Sequence, residues 1–147
     1  MNDGIGNDNY LTELDIRVWA RDNNPDANIL LLDYEFGSEE IRTAMTLTVD
    51  KWNETPPDLG RPYSYDVSNF PYRGELLRGT VANLLFIAAM GYRRNALPVK
   101  TPGGIVNDQD KYQQYDAAGA RMWDEYVRWV NRKKHSINME IGWAVIR

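Results

Sequence analysis

Residues 75–97 read ELLRGTVANLLFIAAMGYRRNAL, and no side chain between Arg78 and Arg93 carries a charge. Such a run must leave water, because burying each large apolar side chain is worth about 1.5–3 kcal/mol over leaving it exposed. A membrane, a core and a partner surface could all bury it. Its unbroken part, Val81 to Tyr92, is 12 residues long and includes Asn83 and Gly91. A bilayer span needs about 20 apolar residues, so the membrane is excluded. What remains is a helix apolar around most of its circumference, predicted to be central in a bundle. Gly79, Ala82, Ala88 and Ala89 would let neighbouring helices approach, and Arg93 and Arg94 complement the dipole of the last turn.

Around this helix the chain has the size of one domain. Its 147 residues, 43% hydrophobic, support a single good core. Cysteine is absent, which removes disulfides, thiolate chemistry and cysteine-bound metal centres. Five Trp and nine Tyr stand against three Phe, a surplus expected at interfaces as well as in cores. The opening MNDGIGNDNY is polar and acidic without an apolar h-region, so a cytosolic origin is expected. Charge is uneven along the chain. Residues 1–60 hold 13 acidic and 4 basic side chains, net −9, and residues 61–147 hold 8 and 13, net +5. That asymmetry suits head-to-tail contacts between copies or steering of a charged partner; two solvated faces of opposite sign would also account for it.

Upstream, residues 1–9 read as a lead-in. Thr12 with Asp15 resembles a capping box opening a short amphipathic segment with Leu14, Ile16, Val18 and Trp19, which stops at RDNNPD. Ala27 to Leu32 is a brief apolar run that suits a short helix or a buried extended segment. Ser38 is expected as the N-cap of a long helix with Glu39 and Glu40 in its first turn and Ile41, Met45, Val49 and Trp52 inside. Thr55-Pro56-Pro57 ends it. Residues 55–72, with four prolines and several tyrosines, are predicted as an irregular connection lying against the core.

Downstream of the central helix, PVKTPGGIVN (98–107) is a Gly-Gly loop or a small hairpin with Val99 and Ile105/Val106 on its arms. Asn107 or Asp108 should cap a last helix running to about Lys134, with Tyr112, Tyr115, Gly119, Met122, Tyr126 and Trp129/Val130 on its core face. Arg132, Lys133, Lys134 and His135 sit where a C-terminal dipole favours cations. In SINMEIGWAVIR the odd positions Ile137, Met139, Ile141, Trp143 and Val145 are apolar, an alternation that predicts an extended strand. The fold is thus expected to be mainly α: a bundle of about three to five helices over residues 1–135, with an extended C-terminal arm over 136–147. An apolar strand without a partner in its own chain must find an edge, on the small hairpin or on another molecule, and strand addition to a partner is a known mode.

Catalytic patterns are missing: there is no P-loop, G-x-S-x-G, H-E-x-x-H or G-x-G-x-x-G. The single His135 has no carboxylate beside it to orient it. Asp108-Gln109-Asp110 is explained by capping rather than by metal binding. No cofactor and no catalytic or metal-ligating residue is therefore expected. Arg128, Arg132, Lys133 and Lys134 interleave with Tyr126 and Trp129, as in single-strand or phosphate binders. Against that stand a pI near 5.0 and the acidic first 60 residues.

The order of features resembles the small helical virion proteins of tailed bacteriophages, especially head-to-tail connector (adaptor or head-completion) subunits. The resemblance spans residues 11–140. It rests on a helix ending in KWNETPP, a Tyr/Pro-rich connection containing NFP, an apolar helix ending in GYRRNALP, a Gly-Gly loop, and YDAAGARMWDEYVRWVNRKK. A baseplate or other tail subunit shares the same architecture. The resemblance implies a ring of identical subunits in the virion neck, docked between the portal and the next neck or tail protein. Such a ring surrounds a channel through which DNA passes without sequence-specific binding, and no membrane is involved. It also implies an acidic channel lining, here from residues 1–60, and a C-terminal segment that reaches a portal or a neighbour. The interface would then comprise Ile137, Met139, Ile141, Trp143 and Val145 with Arg132, Lys133 and Lys134.

Overall fold

A computed structural model describes residues 11–22, 24, 35–95, 100–101, 104–105 and 108–146. The lead-in 1–9, Pro25, the run 27–32, Val99, Val106 and Asn107 lie outside these residues, as do the side chains of Asp108, Gln109, Asp110 and Val145. The chain is mainly helical, with α1 at Glu13–Trp19, α2 at Ser38–Glu54, a 3₁₀ turn at Arg61–Tyr63, α3 at Arg73–Asn95 and α4 at Asp108–Ile146. Between α3 and α4 a hairpin pairs β1, Lys100–Thr101, with β2, Gly104–Ile105, Lys100 standing opposite Ile105.

The central helix is α3, as its sequence predicts. It packs on α4, α2 and α1, and from Glu75 to Ala89 none of its residues is exposed. Among the described residues no helix is long and apolar enough to cross a membrane. Close approach is made by glycine at two places. A Cβ on Gly79 would lie 2.4 Å from Cγ2 of Thr48 on α2, and one on Gly119 would lie 3.2 Å from the Ala82 carbonyl oxygen. Thr48 is also where three helices are tied together. Its hydroxyl donates to the Ala44 carbonyl (2.8 Å) and accepts from Asn83 of α3 (3.2 Å), and its carbonyl accepts from the Tyr126 hydroxyl of α4 (2.6 Å).

Trp52 anchors the connection between α2 and α3. Its fully buried ring meets Tyr65, Phe70, Tyr72 and Trp129 at centroid distances of 6.0, 5.8, 5.3 and 5.6 Å. Its Nε1 donates to the Tyr63 carbonyl at 2.8 Å, and the neighbouring Asn53 side chain brackets Tyr65, donating to its carbonyl and accepting its N–H. Residues 55–72 therefore lie against the core as expected. The turn at Gly60 (φ +85°) needs glycine for its left-handed backbone.

Three expectations are corrected. Ser38 is the first residue of α2 rather than its cap; Gly37 holds that position, and the Ser38 hydroxyl instead donates to Glu13 Oε1 at 2.9 Å. On α1 the capping box of Thr12 and Asp15 is present. Yet the helix buries Ile16 and Arg17, leaving Leu14, Val18 and Trp19 exposed. The segment 136–146 is no strand: α4 continues through it to Ile146. Apolar residues at every second position also form two stripes at i, i+4, one being Ile137 and Ile141, the other Met139 and Trp143. The first stripe packs on the core and the second faces water, so the helix needs no partner strand.

Candidate interaction surfaces

A helix of seven residues is not stable alone, so α1 must be held from outside. Buried Arg17 does this. It donates to Asp22 Oδ2 (2.9 Å), to the Phe36 carbonyl (2.8 Å) and through Nε to Glu13 Oε1 (3.0 Å). Asp22 in turn accepts the backbone N–H groups of Glu35 and Phe36. The clamp joins α1 to the start of α2, and Arg73 of α3 reaches Asp15 at 2.9 Å. Hydrogen bonds from Thr12 and Arg73 hold the Asp15 carboxyl at a pKa of about 2. With its inner face so fixed, α1 turns Leu14, Val18 and Trp19 outward. Together with Leu11, Arg73 and Leu77 they line an open groove of about 400 Å³ between α1 and α3.

The second surface lies at the far end of α4. At about 1.5 Å per residue the 39-residue α4 is about 58 Å long, against about 35 Å for the 23-residue α3. Antiparallel pairing puts Tyr115 on Tyr92 and Trp129 on Tyr72, just before the start of α3. Everything beyond Val130 therefore projects past α3. The first part of this overhang is covered by α2 and the connection. Lys134 is buried, with Nζ donating to the Trp52 carbonyl (3.0 Å) and to the Thr55 carbonyl, and Ile137 is 6% exposed. Burial lowers the Lys134 pKa, opposed by the charge of Asp58. Further on, Met139 and Trp143 are 64% and 68% exposed.

The predicted interface residues thus separate by face. Met139, Trp143 and Arg132 are exposed; Ile141 is half-buried; Lys133 is half-buried with Nζ 5.5 Å from the Tyr72 ring centroid. Ile137 and Lys134 belong to the interior and cannot meet a partner in the folded subunit. The sequence groups Leu14, Val18 and Trp19 with Ile16 in one short amphipathic segment and does not mark them as surface residues. The i, i+4 pair Leu14/Val18 was the signal.

A third cluster lies where α3 and α4 meet the segment before α2. The stacked rings of Tyr92 and Tyr115 (5.4 Å) both hydrogen-bond Glu35, and Lys111 Nζ lies 5.6 Å from the Tyr92 ring centroid. Burial, and then the charge of Asp22, raises the Glu35 pKa. Burial beside Glu35 pushes the Tyr115 phenol up to about 12. This network fastens a loop to two helices. Among the described residues no group of three or more His, Cys, Asp or Glu side chains could hold a metal ion. No family model, curated protein or solved structure matches the chain.

Proposed function

We propose that the chain is a structural subunit that joins copies of itself into a ring, of the head-to-tail connector type its sequence resembles. In that role it docks to a portal in the neck of a tailed phage and surrounds the passing DNA. The observation that carries the reading is the pair of apolar surfaces on separate elements of one subunit, the α1/α3 groove and the tip of α4. Different patches that meet between identical copies make a heterologous contact, which closes into a ring when the rotation allows. The charge separation along the chain supports the same head-to-tail polarity. The exposed carboxylates of α2, Glu39, Glu40, Asp50 and Glu54, would give a channel wall that repels DNA rather than holding it.

Light scattering across a concentration series, with electron microscopy of the product, tests self-assembly. Rings are expected, and a chain that is monomeric at every concentration overturns the reading. Antibody labelling of the parent particle should mark the neck; label on the baseplate would assign the chain to a different tier. A nucleic-acid-binding reading finds Arg121, Arg128 and Arg132 exposed on α4, but Asp124 and Glu125 are exposed among them, and Asp124 pairs with Arg128 at 2.7 Å. A DNA shift that weakens with salt and with R121A/R128A/R132A would favour it.

A further inference from the structure

The helix α1 carries its own start and its own stop. Thr12 and Asp15 form the capping box at its head. At its foot the Asp22 N–H donates to the Arg17 carbonyl (2.8 Å) and the Arg21 N–H to the Val18 carbonyl (3.2 Å). These two bonds are the Schellman pattern, in which the residue after the cap turns left-handed, and Arg21 does so at φ +61°. Glycine is favoured at such a position, because a side chain strains that backbone. The turn returns Asp22 to the helix it follows, with its carboxylate 2.9 Å from the Arg17 guanidinium and both ions buried. We infer that α1 is a strap that lifts from the α2–α4 bundle and closes on it as one unit, with Arg17 as its latch. This motion needs no second copy of the chain.

Apolar burial is too small to hold α1 down. Of its four large apolar side chains Leu14, Val18 and Trp19 are exposed, and Ile16 alone is fully buried. Polar contacts supply the rest, and they converge on Arg17. Its guanidinium joins Glu13 within the helix to Asp22 and to the Phe36 carbonyl before α2. Asp22 then takes the N–H groups of Glu35 and Phe36, and Glu13 takes the Ser38 hydroxyl. Without the guanidinium the Asp22 carboxylate would be left in the interior unpaired, so the latch fails as a whole rather than bond by bond. The Arg73–Asp15 pair to α3 is exposed and adds little. The other three helices are joined differently, through a shared apolar core that includes Val49, Trp52, Leu84 and Tyr126. That core does not depend on Arg17. Opening of α1 therefore costs less than opening of the bundle, the mark of a separate cooperative unit. Because Asp22 holds Glu35 and Phe36, lifting the strap also frees the lead into α2.

Native-state hydrogen exchange of the full chain, read by NMR over a denaturant series, tests this. The amides of Ala20 and Asp22 in the strap and of Glu35 and Phe36 beyond it should share one opening event. Their exchange should be roughly tenfold or more faster than that of the Val49, Leu84 and Tyr126 amides. R17M should speed the four strap-linked amides about a hundredfold or more and leave the three core amides slow. R17K keeps the charge but loses the guanidinium fork, so it should fall between R17M and wild type. R21G should slow the same four amides, because glycine removes the left-handed strain. Exchange of all seven amides at one common rate overturns the inference, and it does so in the wild type even where R17M fails to fold. Fast exchange at Ala20 and Asp22 with Glu35 and Phe36 as slow as the core means fraying of a helix end and also overturns it. So does an R17M protein in which all seven amides are accelerated equally.

Discussion

Lys134 of α4 donates to the Trp52 carbonyl of α2 at 3.0 Å, placing a cation on the carbonyl end of a helix other than its own. The run Arg132-Lys133-Lys134 does not end α4. One of its members instead caps α2, where Trp52 and Thr55 present C-terminal carbonyls. The same contact fixes how far α4 projects past α3.

Replacing Lys134 by Met keeps the stem over Trp52 and removes the donor. The buried carbonyls lose their partner, so K134M should destabilise the fold by about 1–3 kcal/mol in chemical denaturation. A wild-type midpoint would show that these carbonyls do not depend on the ammonium.

Gly79 and Gly91 lie on the same helix and should respond oppositely to alanine. A Cβ at Gly79 meets Thr48 Cγ2 at 2.4 Å, whereas at Gly91 it meets nothing within 4 Å. G79A should cost about 1–3 kcal/mol through overpacking. G91A should stabilise by about 0.5–1 kcal/mol through helix propensity. Adding T48S to G79A removes the clashing methyl, so the double variant should be more stable than the single losses summed.

Ile137 and Trp143 separate folding from association within one segment. I137A should cost about 2–5 kcal/mol, because a buried side chain leaves a cavity. W143A should leave the melting temperature nearly unchanged and act on self-association alone. Two equal melting losses would place Trp143 in the core.

Glu35 and Asp15 give opposite pH dependences. The folded pKa of Glu35 lies above its ordinary value of 4.5, so its ionisation opposes folding. Its contribution is fully present below pH 4.5 and is lost as pH rises through the folded value. E35Q should remove that decline, with Asp22, Glu40, Lys111, Tyr92 and Tyr115 still in place around it. Asp15, lowered from 3.8 to about 2, contributes above pH 3.8 and loses its contribution as pH falls toward 2. D15N should therefore be less stable than wild type at neutral pH and equal to it near pH 2. Thermal melts of the three proteins from pH 2 to 7 separate the two windows.

Much of the architecture was legible along the chain because it depends on local pattern. The uncharged run of α3, the Thr12–Asp15 capping box and the stop at Thr55-Pro56-Pro57 all act within a few residues. The place of Gly79 and Gly119 at close helix contacts follows from the lack of a side chain. Tertiary structure alone settled which face of α1 points inward, because that depends on Arg17 finding Asp22 and the Phe36 carbonyl. It also settled the end of the chain. The apolar residues 137, 139, 141 and 143 satisfy a strand and a helix equally, and no local count chooses between them. The core beneath Ile137 and the α2 carbonyls beneath Lys134 choose the helix, burying one stripe and leaving Met139 and Trp143 in water.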